Sequence, residues 1–365
     1  MDANSRNKNL DIAKGIAIWL VIWAHSIQYC YAGNQEFFKN PVLKFIHGFD
    51  MPLFMMISGY LFFSSCQKYN NKKKIIKKQI CHIAYPLLVW SAINWIYKCL
   101  YQRSGILYVE EFIKSLYNSL TELLFLWSIL IISVLIAVVY FTVTIPVQRI
   151  ICYIALFFIL IFIPGKIEPC KTMNIWMYPY FLVGFMGHEM QERNFGEFPI
   201  PHLYKIRYIC FVLYPVLLHY FQNRHYIYIS GLNPFHSEYG FINQIEIDLF
   251  RWLIGYVGIG FFSVVLQQFI YTLSTHNILC QVEKIGRITL QIYVLQKLFL
   301  EEIFGRIYRI FVENIWGGIN PLTQNKVLFS LIWTNIIGLI HIFMIYKIIM
   351  LIRKSEKLNR FLFGC

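Results

Sequence analysis

The sequence predicts an all-α, polytopic integral membrane helical bundle of about ten transmembrane helices. Three observations carry that prediction. Of 365 residues, 58% are apolar and only 14% charged, with a mean hydropathy of +0.52. Soluble domains hold about 45–50% apolar and about 25% charged residues, and one globular core of this length could not hide such an excess. Second, the apolar residues gather into segments near 12–32, 45–64, 79–99, 120–143, 150–164, 175–191, 206–222, 245–270, 288–311 and 327–351, most of them matching the roughly 20 residues that a membrane helix needs. Third, 33 Lys and Arg stand against 19 Asp and Glu, a formal charge of +14, and this excess is unevenly placed. Together these exclude a secreted disulfide scaffold, a disordered tail and an ordinary cytosolic enzyme. No connecting loop is long enough for a soluble module, so residues 1–365 read as a single transmembrane domain.

The span at 12–32 is longer than the apolar region of a signal peptide and is followed by others, so it is expected to be retained. Pro52 and Gly59 interrupt the span at 45–64, and breaks of this kind are tolerated where neighbours re-satisfy the freed backbone. Six lysines follow between Lys68 and Lys78. Placing that run in the cytoplasm puts both termini inside and leaves about twice as many Lys and Arg there as on the opposite side, as the positive-inside rule expects. The charge is therefore mostly topology, and nucleic acid is not expected as a partner. Arg251, Lys297, Arg306 and Arg309 fall within spans, the one at 288–311 being amphipathic.

The loop at 222–244 joins aromatic residues to Arg224, His225, His236 and Glu238. That composition suits a sugar face, but an interfacial aromatic belt is the default. Glu246, Asp248 and Arg251 read first as structural ion pairs and second as a polar wall of an acceptor cavity. His188, Glu189 and Glu192 do not make an H-E-x-x-H motif, and there is no glycine-rich phosphate loop, so neither a metal nor a Rossmann or P-loop cradle is expected. Nine cysteines are scattered singly and read as small apolar packers.

The first helix carries the unusual chemistry. In LDIAKGIAIWLVIWAHS (residues 10–26), Asp11, Lys14 and His25 are the ionisable groups. At about 100° per residue, Lys14 and His25 fall roughly 20° from eclipsed and Asp11 roughly 40° off on the other side, so all three share a face. His25 lies roughly 16 Å deeper than Lys14. An isolated lysine there could snorkel to the headgroups. Three groups in register point instead to a polar cavity, with Asp11 and Lys14 paired at its mouth. A neutral imidazole at such a place suits a general base, since its unperturbed pKa of about 6.5 matches neutral pH.

These residues resemble the acyltransferase-3 family of integral membrane acyltransferases, particularly its sugar O-acetyltransferase branch with the fucose 4-O-acetylase-like members. Leu10-Asp11-x-x-Lys14-Gly15 looks like the family's opening segment, and Lys14-x10-His25 matches its Arg/Lys-x10-His spacing. FDMPLFMMISGYLFF (49–63), LFLWSILIISVL (124–135), WMYPYFLVGFMGHEM (176–190) and IGRITLQIYVLQ (285–296) continue the resemblance in order along most of the chain. Three positions depart from it. Asp50 stands where the family carries a His, with His47 one turn earlier. Gln296 replaces the His that closes the last segment. Lys77, Lys78 and His82 stand where an Arg-x-x-Arg is common.

The resemblance implies an O-acyltransferase of the cell (inner) membrane that moves an acetyl or other small acyl group from cytoplasmic acetyl-CoA, without a metal, to a sugar hydroxyl. The acceptor would be a cell-surface polysaccharide or its lipid-linked precursor. His25 would be the base, Asp11 and Lys14 would orient the seam or position the donor, and Asp50 would be accessory. Cations at Lys14, Lys77, Lys78 and His82 would meet the phosphates of the coenzyme. The competing reading is a multi-pass transporter or flippase for lipid-linked sugars, in which the same seam is a proton relay. The paired broken helices of such folds are not evident in the sequence.

Overall fold

A helix satisfies its own backbone, which is what lipid demands of any segment that crosses it, and in the computed structural model helices stand at all ten predicted spans. The structure describes residues 7–30, 36–102, 113–114, 117–118, 122–162, 171–192, 200–232, 238–274, 277–315 and 326–364. His236, Cys170 and Cys365 lie outside these. In chain order the helices are α1 (Lys8–Cys30), α2 (Pro41–His47), α3 (Asp50–Tyr69), α4 (Lys72–Gln79), α5 (Tyr85–Gln102), α6 (Leu124–Thr142), α7 (Pro146–Phe162), α8 (Lys171–Glu192), α9 (Ile200–Tyr220), α10 (Ile227–Ser230), α11 (Phe241–Thr272), α12 (Asn277–Gly286), α13 (Thr289–Gln296), α14 (Gly305–Ile315), α15 (Lys326–Leu328), α16 (Thr334–Arg353) and α17 (Glu356–Phe363). Wide π turns at Ile80–Ala84, Lys297–Phe304 and Phe329–Trp333 join α4 to α5, α13 to α14 and α15 to α16. Among the described residues, six helical stretches are long and apolar enough to cross a membrane: Lys8–Cys30, Pro41–Tyr69, Lys72–Leu100, Leu124–Thr142, Phe241–Thr272 and Phe329–Arg353. The protein is a polytopic helical membrane protein.

The chain forms two compact units. The first comprises Met1–Phe54, Gly196–Ile229 and Ile245–Leu351. Its axis is α1, which lies against α12 at backbone distance. A Cβ on Gly15 would stand 2.3 Å from the Val282 carbonyl oxygen, and one on Gly286 only 1.7 Å from that of Asp11. Within lipid, where apolar surface has little drive to leave its surroundings, close backbone approach through small residues is a main source of helix attraction. On another face of α1, Trp19 and Trp23 stack with centroids 5.3 Å apart. Trp19 donates to Asn335 Oδ1 at 3.0 Å, and Trp23 to the Ser330 carbonyl at 2.8 Å and Thr334 Oγ1 at 3.1 Å. Ser330 sits in the π turn Phe329–Trp333. Asn40 caps α2 by accepting from Val42 and Leu43, and its amide donates to Ser330 Oγ. Pro41 follows it, at the helical position where a missing N–H costs least. A cluster of Phe45, Phe49, Tyr214, Phe261 and Phe262 joins α2 and the turn after it to α9 and α11.

The second unit comprises Met55–Phe195, Ser230–Gln244 and Ile352–Cys365. Here too two glycines cross: a Cβ on Gly59 would meet the Phe181 carbonyl and one on Gly184 the Met56 carbonyl, each at 2.0 Å. The glycine that breaks the apolar span at 45–64 therefore serves helix packing. Tyr60 stacks on His188 at 3.9 Å, and Arg149 pairs with Glu189 at 2.5 Å while lying over the Tyr140 ring. Trp90 donates to the Leu362 carbonyl at 3.0 Å, fixing α17 to α5. Cys30, Cys66 and Cys99 are buried and all seven described cysteines are free thiols, in keeping with their reading as packers.

Candidate active site

His25 sits one turn before the end of α1, in the first unit. Its Nδ1 is buried without a hydrogen-bond partner and lies 3.7 Å from Glu301 Oε1, just beyond bonding distance. Glu301 comes from the π turn Lys297–Phe304, and its other oxygen accepts from Lys297 Nζ at 2.5 Å. The Tyr29 hydroxyl hydrogen-bonds the same carboxylate, and its ring stacks on His25 with centroids 5.9 Å apart. Lys297 and Glu301 stand one turn apart on that segment. Asp50 is fully buried; it accepts from the Met51 N–H at 2.7 Å and faces His47 Nδ1 at 3.1 Å. The structure thus places Glu301 and Tyr29 beside His25, with Lys297 on Glu301, and pairs Asp50 with His47 in the same unit.

His25 keeps 23% of its side-chain surface accessible, while Nδ1 itself is buried. The ring is therefore partly open to a reactant, with Nδ1 turned to Glu301. Gln296 Oε1 and the Tyr226 hydroxyl are among the other buried polar atoms of this unit without a hydrogen-bond partner. Buried polar groups are nearly always paired in folded proteins, so such atoms are natural contacts for a polar ligand.

Asp11 and Lys14 are not part of this group. They pair with each other at 2.7 Å where α1 meets α12, and Asp11 also faces Arg287 Nε at 3.8 Å, which in turn binds Glu283. The expected pairing at the mouth of the seam is present, roughly 16 Å along the helix from His25. Lys77, Lys78 and His82 belong to the second unit. Lys78 donates to Ser65 Oγ at 2.8 Å and lies over the Tyr69 ring, while Lys77 is exposed. Among the described residues no three His, Cys, Asp or Glu side chains converge as metal ligands do.

The loop after α9 closes one side of the first unit. Arg251 of α11 pairs with buried Asp248 at 2.8 Å and donates to the carbonyls of Arg224, His225 and Tyr226 at 2.8–3.2 Å. His225 is buried; burial first, then Arg224, Arg251 and Lys44, lower its pKa to about 4. It is therefore neutral, and Nδ1 accepts the Gln222 N–H at 2.8 Å. The ion pair read from the sequence is present. Of the loop's described aromatic residues, Tyr226 is buried while Tyr228, Tyr239 and Phe241 are exposed. Glu301 and Tyr29 were not singled out by sequence reasoning. The available signal was Lys297–Glu301 at i,i+4 within an apolar span, a spacing at which opposite charges meet.

Comparison with known proteins bears on this geometry. The acyltransferase-3 profile, described as an acyltransferase domain, matches residues 7–352. Nodulation protein NolL of Mesorhizobium japonicum (strain LMG 29417 / CECT 9101 / MAFF 303099) is 33% identical over 141 residues, covering 37% of this chain and 36% of the relative. Nodulation protein NolL of Sinorhizobium fredii (strain NBRC 101917 / NGR234) is 29% identical over 196 residues, 53% of this chain and 51% of the relative. The chain thus spans from about a third to about half of the length of these curated relatives. No solved structure matches.

Proposed function

The chain belongs to the acyltransferase-3 family of membrane O-acyltransferases, and from that premise we propose that it moves an acetyl group from cytoplasmic acetyl-CoA to a sugar hydroxyl of a cell-surface glycan or its lipid-linked precursor. The observation that carries this reading is the partly accessible imidazole of His25 beside the Glu301 carboxylate. His25 takes the proton of the acceptor hydroxyl as that oxygen attacks the thioester carbonyl. The new C–O bond forms, the C–S bond breaks, and the imidazolium returns its proton to the departing thiolate, giving the acetyl ester and free CoA. Glu301 stabilises the imidazolium that exists between these two transfers. Its 3.7 Å separation from Nδ1 is in the range from which catalytic hydrogen bonds tighten when substrate binds. Asp50 is accessory: its carboxylate fixes His47.

Lys14, held by Asp11, positions the donor near the cytoplasmic mouth in the first unit; Lys77 and Lys78, with His82 beside them, are a separate group of phosphate contacts in the second unit. The family match runs across both units, which supports reading residues 1–365 as one functional domain of the inner membrane; the lysine run Lys68–Lys78, by the positive-inside rule, supports placing both termini in the cytoplasm.

The test is glycan acetylation in cells that carry His25→Ala at normal protein abundance. Alkali-labile acetate on the envelope glycan is expected to fall by about 10²–10⁴-fold, the usual worth of a positioned base. Unchanged acetate would sink the reading. Loss of glycan export with the residual glycan still acetylated would point to transport instead.

A further inference from the structure

The helix α17 is docked within the second unit by backbone and ring contacts. Ser355 caps its start, accepting from the Leu358 N–H at 3.3 Å, and Gly364 ends it in the left-handed conformation at φ 80°, the usual glycine stop for a helix. Trp90 of α5 donates to the Leu362 carbonyl and stacks on the buried Phe363 ring with centroids 5.9 Å apart. A Cβ on Gly364 would stand 2.2 Å from the Cys81 carbonyl oxygen, so the helix end lies against the π turn that joins α4 to α5. At about 100° per residue the side chains of α17 fall on three sides. Asn359, Leu362 and Phe363, none of them exposed, form the docked side. Lys357 and Arg360 form a basic side. Leu358 and Phe361 form an apolar side and are 42% and 60% exposed.

Two features put that apolar side at a membrane surface. Only Lys354 and Ser355 separate α17 from the end of the span Phe329–Arg353, a reach of about 10 Å at most, and the anchoring Trp90 belongs to the span Lys72–Leu100. The charge is also of one sign. Arg353, Lys354, Lys357 and Arg360 stand against Glu356 alone, which pairs with Arg360 at 2.6 Å. Lys354 and Lys357 are exposed, and α4, which leads into the same π turn, adds exposed Lys73, Lys74 and Lys77. A helix with an apolar side next to a basic one lies in the plane of the interface, and four or more cations beside a membrane span attract anionic lipid.

We propose that α17 is an interfacial lipid-binding helix: Leu358 and Phe361 enter the acyl-chain boundary, and Lys354 and Lys357 hold the phosphate groups of anionic phospholipids in the cytoplasmic leaflet. Arg360 contributes less, because Glu356 neutralises it. Two exposed apolar side chains are far fewer than the roughly 20–30 residues a side of a stable protein interface, so lipid and not a second protein is the occupant. This assignment uses the cytoplasmic placement of Lys68–Lys78 and is independent of the acyl-transfer chemistry.

The test uses the full-length protein in nanodiscs of equal parts phosphatidylglycerol and phosphatidylcholine. The photoreactive p-benzoylphenylalanine replaces Phe361 in one protein. In a second it replaces Leu100, which is 76% exposed in the span Lys72–Leu100 and calibrates an ordinary lipid contact. Illumination is expected to attach phospholipid at position 361, with phosphatidylglycerol favoured by about fivefold or more over the ratio at position 100. Adding Lys354→Gln and Lys357→Gln together is expected to reduce that preference to the ratio at position 100, with the melting temperature unchanged. Attachment to protein instead of lipid, or none where position 100 reacts, overturns the proposal, as does an equal yield of the two lipids at position 361. A preference kept in the double lysine variant overturns the role given to those lysines.

Discussion

Glu301 occupies a position that only its partners make tolerable. A carboxylate buried to 5% side-chain exposure is costly unless it is paired and hydrogen-bonded, and Lys297 and Tyr29 meet that need. Removing its charge while keeping its shape therefore isolates its action on His25. Glu301→Gln is expected to lower kcat by roughly 10²-fold with smaller changes in the KM for acetyl-CoA, and steady-state kinetics of the solubilised enzyme check this. A kcat equal to wild type would remove Glu301 from the mechanism. His25 was legible in the sequence because regular helical spacing aligned it with Lys14 and Asp11. Glu301 was not, for two reasons. Its span carries Lys297, Glu302, Arg306 and Arg309 as well, so no one charge stood out. The eight-residue π turn Lys297–Phe304 also bonds i to i+5, which shifts the face that a 3.6-residue count assigns.

Among the elements, α12 shows most clearly why local pattern was insufficient. Its ten residues contain Glu283 and Lys284, too short and too polar to read as a span, so the sequence placed 271–287 between helices. Yet this helix lies against α1 at the distance of bare backbone. Gly286→Ala would force a Cβ to within 1.7 Å of the Asp11 carbonyl oxygen, and neither side is a flexible side-chain tip. Overpacking of this kind costs about 1–3 kcal/mol, so a melting temperature several degrees lower is expected for the solubilised variant. Gly187→Ala is the contrasting case. Nothing lies within 4 Å of its added methyl, and helix propensity alone favours alanine by about 1 kcal/mol. If both variants melt together, the tight α1–α12 crossing is not a source of stability. The loop after α9 teaches a related lesson: its aromatics looked like a belt by composition, and only the Arg251 contacts to three carbonyls sort the buried Tyr226 from the accessible Tyr228.

At the scale of the whole molecule, the spans were legible because the apolar segments are long and the composition leaves little else for them to do. The orientation rests on the lysine run Lys68–Lys78, of which Lys72–Gln79 forms the short polar helix α4. With that run in the cytoplasm, green fluorescent protein fused after Cys365 is expected to fluoresce, and alkaline phosphatase placed in the 222–244 loop is expected to be active. The opposite pattern would reverse the side from which acetyl-CoA enters. The crossing of Gly15 with Gly286 also sets a schedule for biosynthesis. The helix bearing Asp11, Lys14 and His25 leaves the ribosome some 250 residues before α12 and the π turn that provide its polar partners. At about 5–20 residues per second, that helix waits tens of seconds in the membrane with Asp11 and Lys14 paired only to each other and His25 without Glu301. Shelter for the first helix until the last third of the chain arrives, from the insertion machinery or another membrane component, is therefore expected to aid maturation.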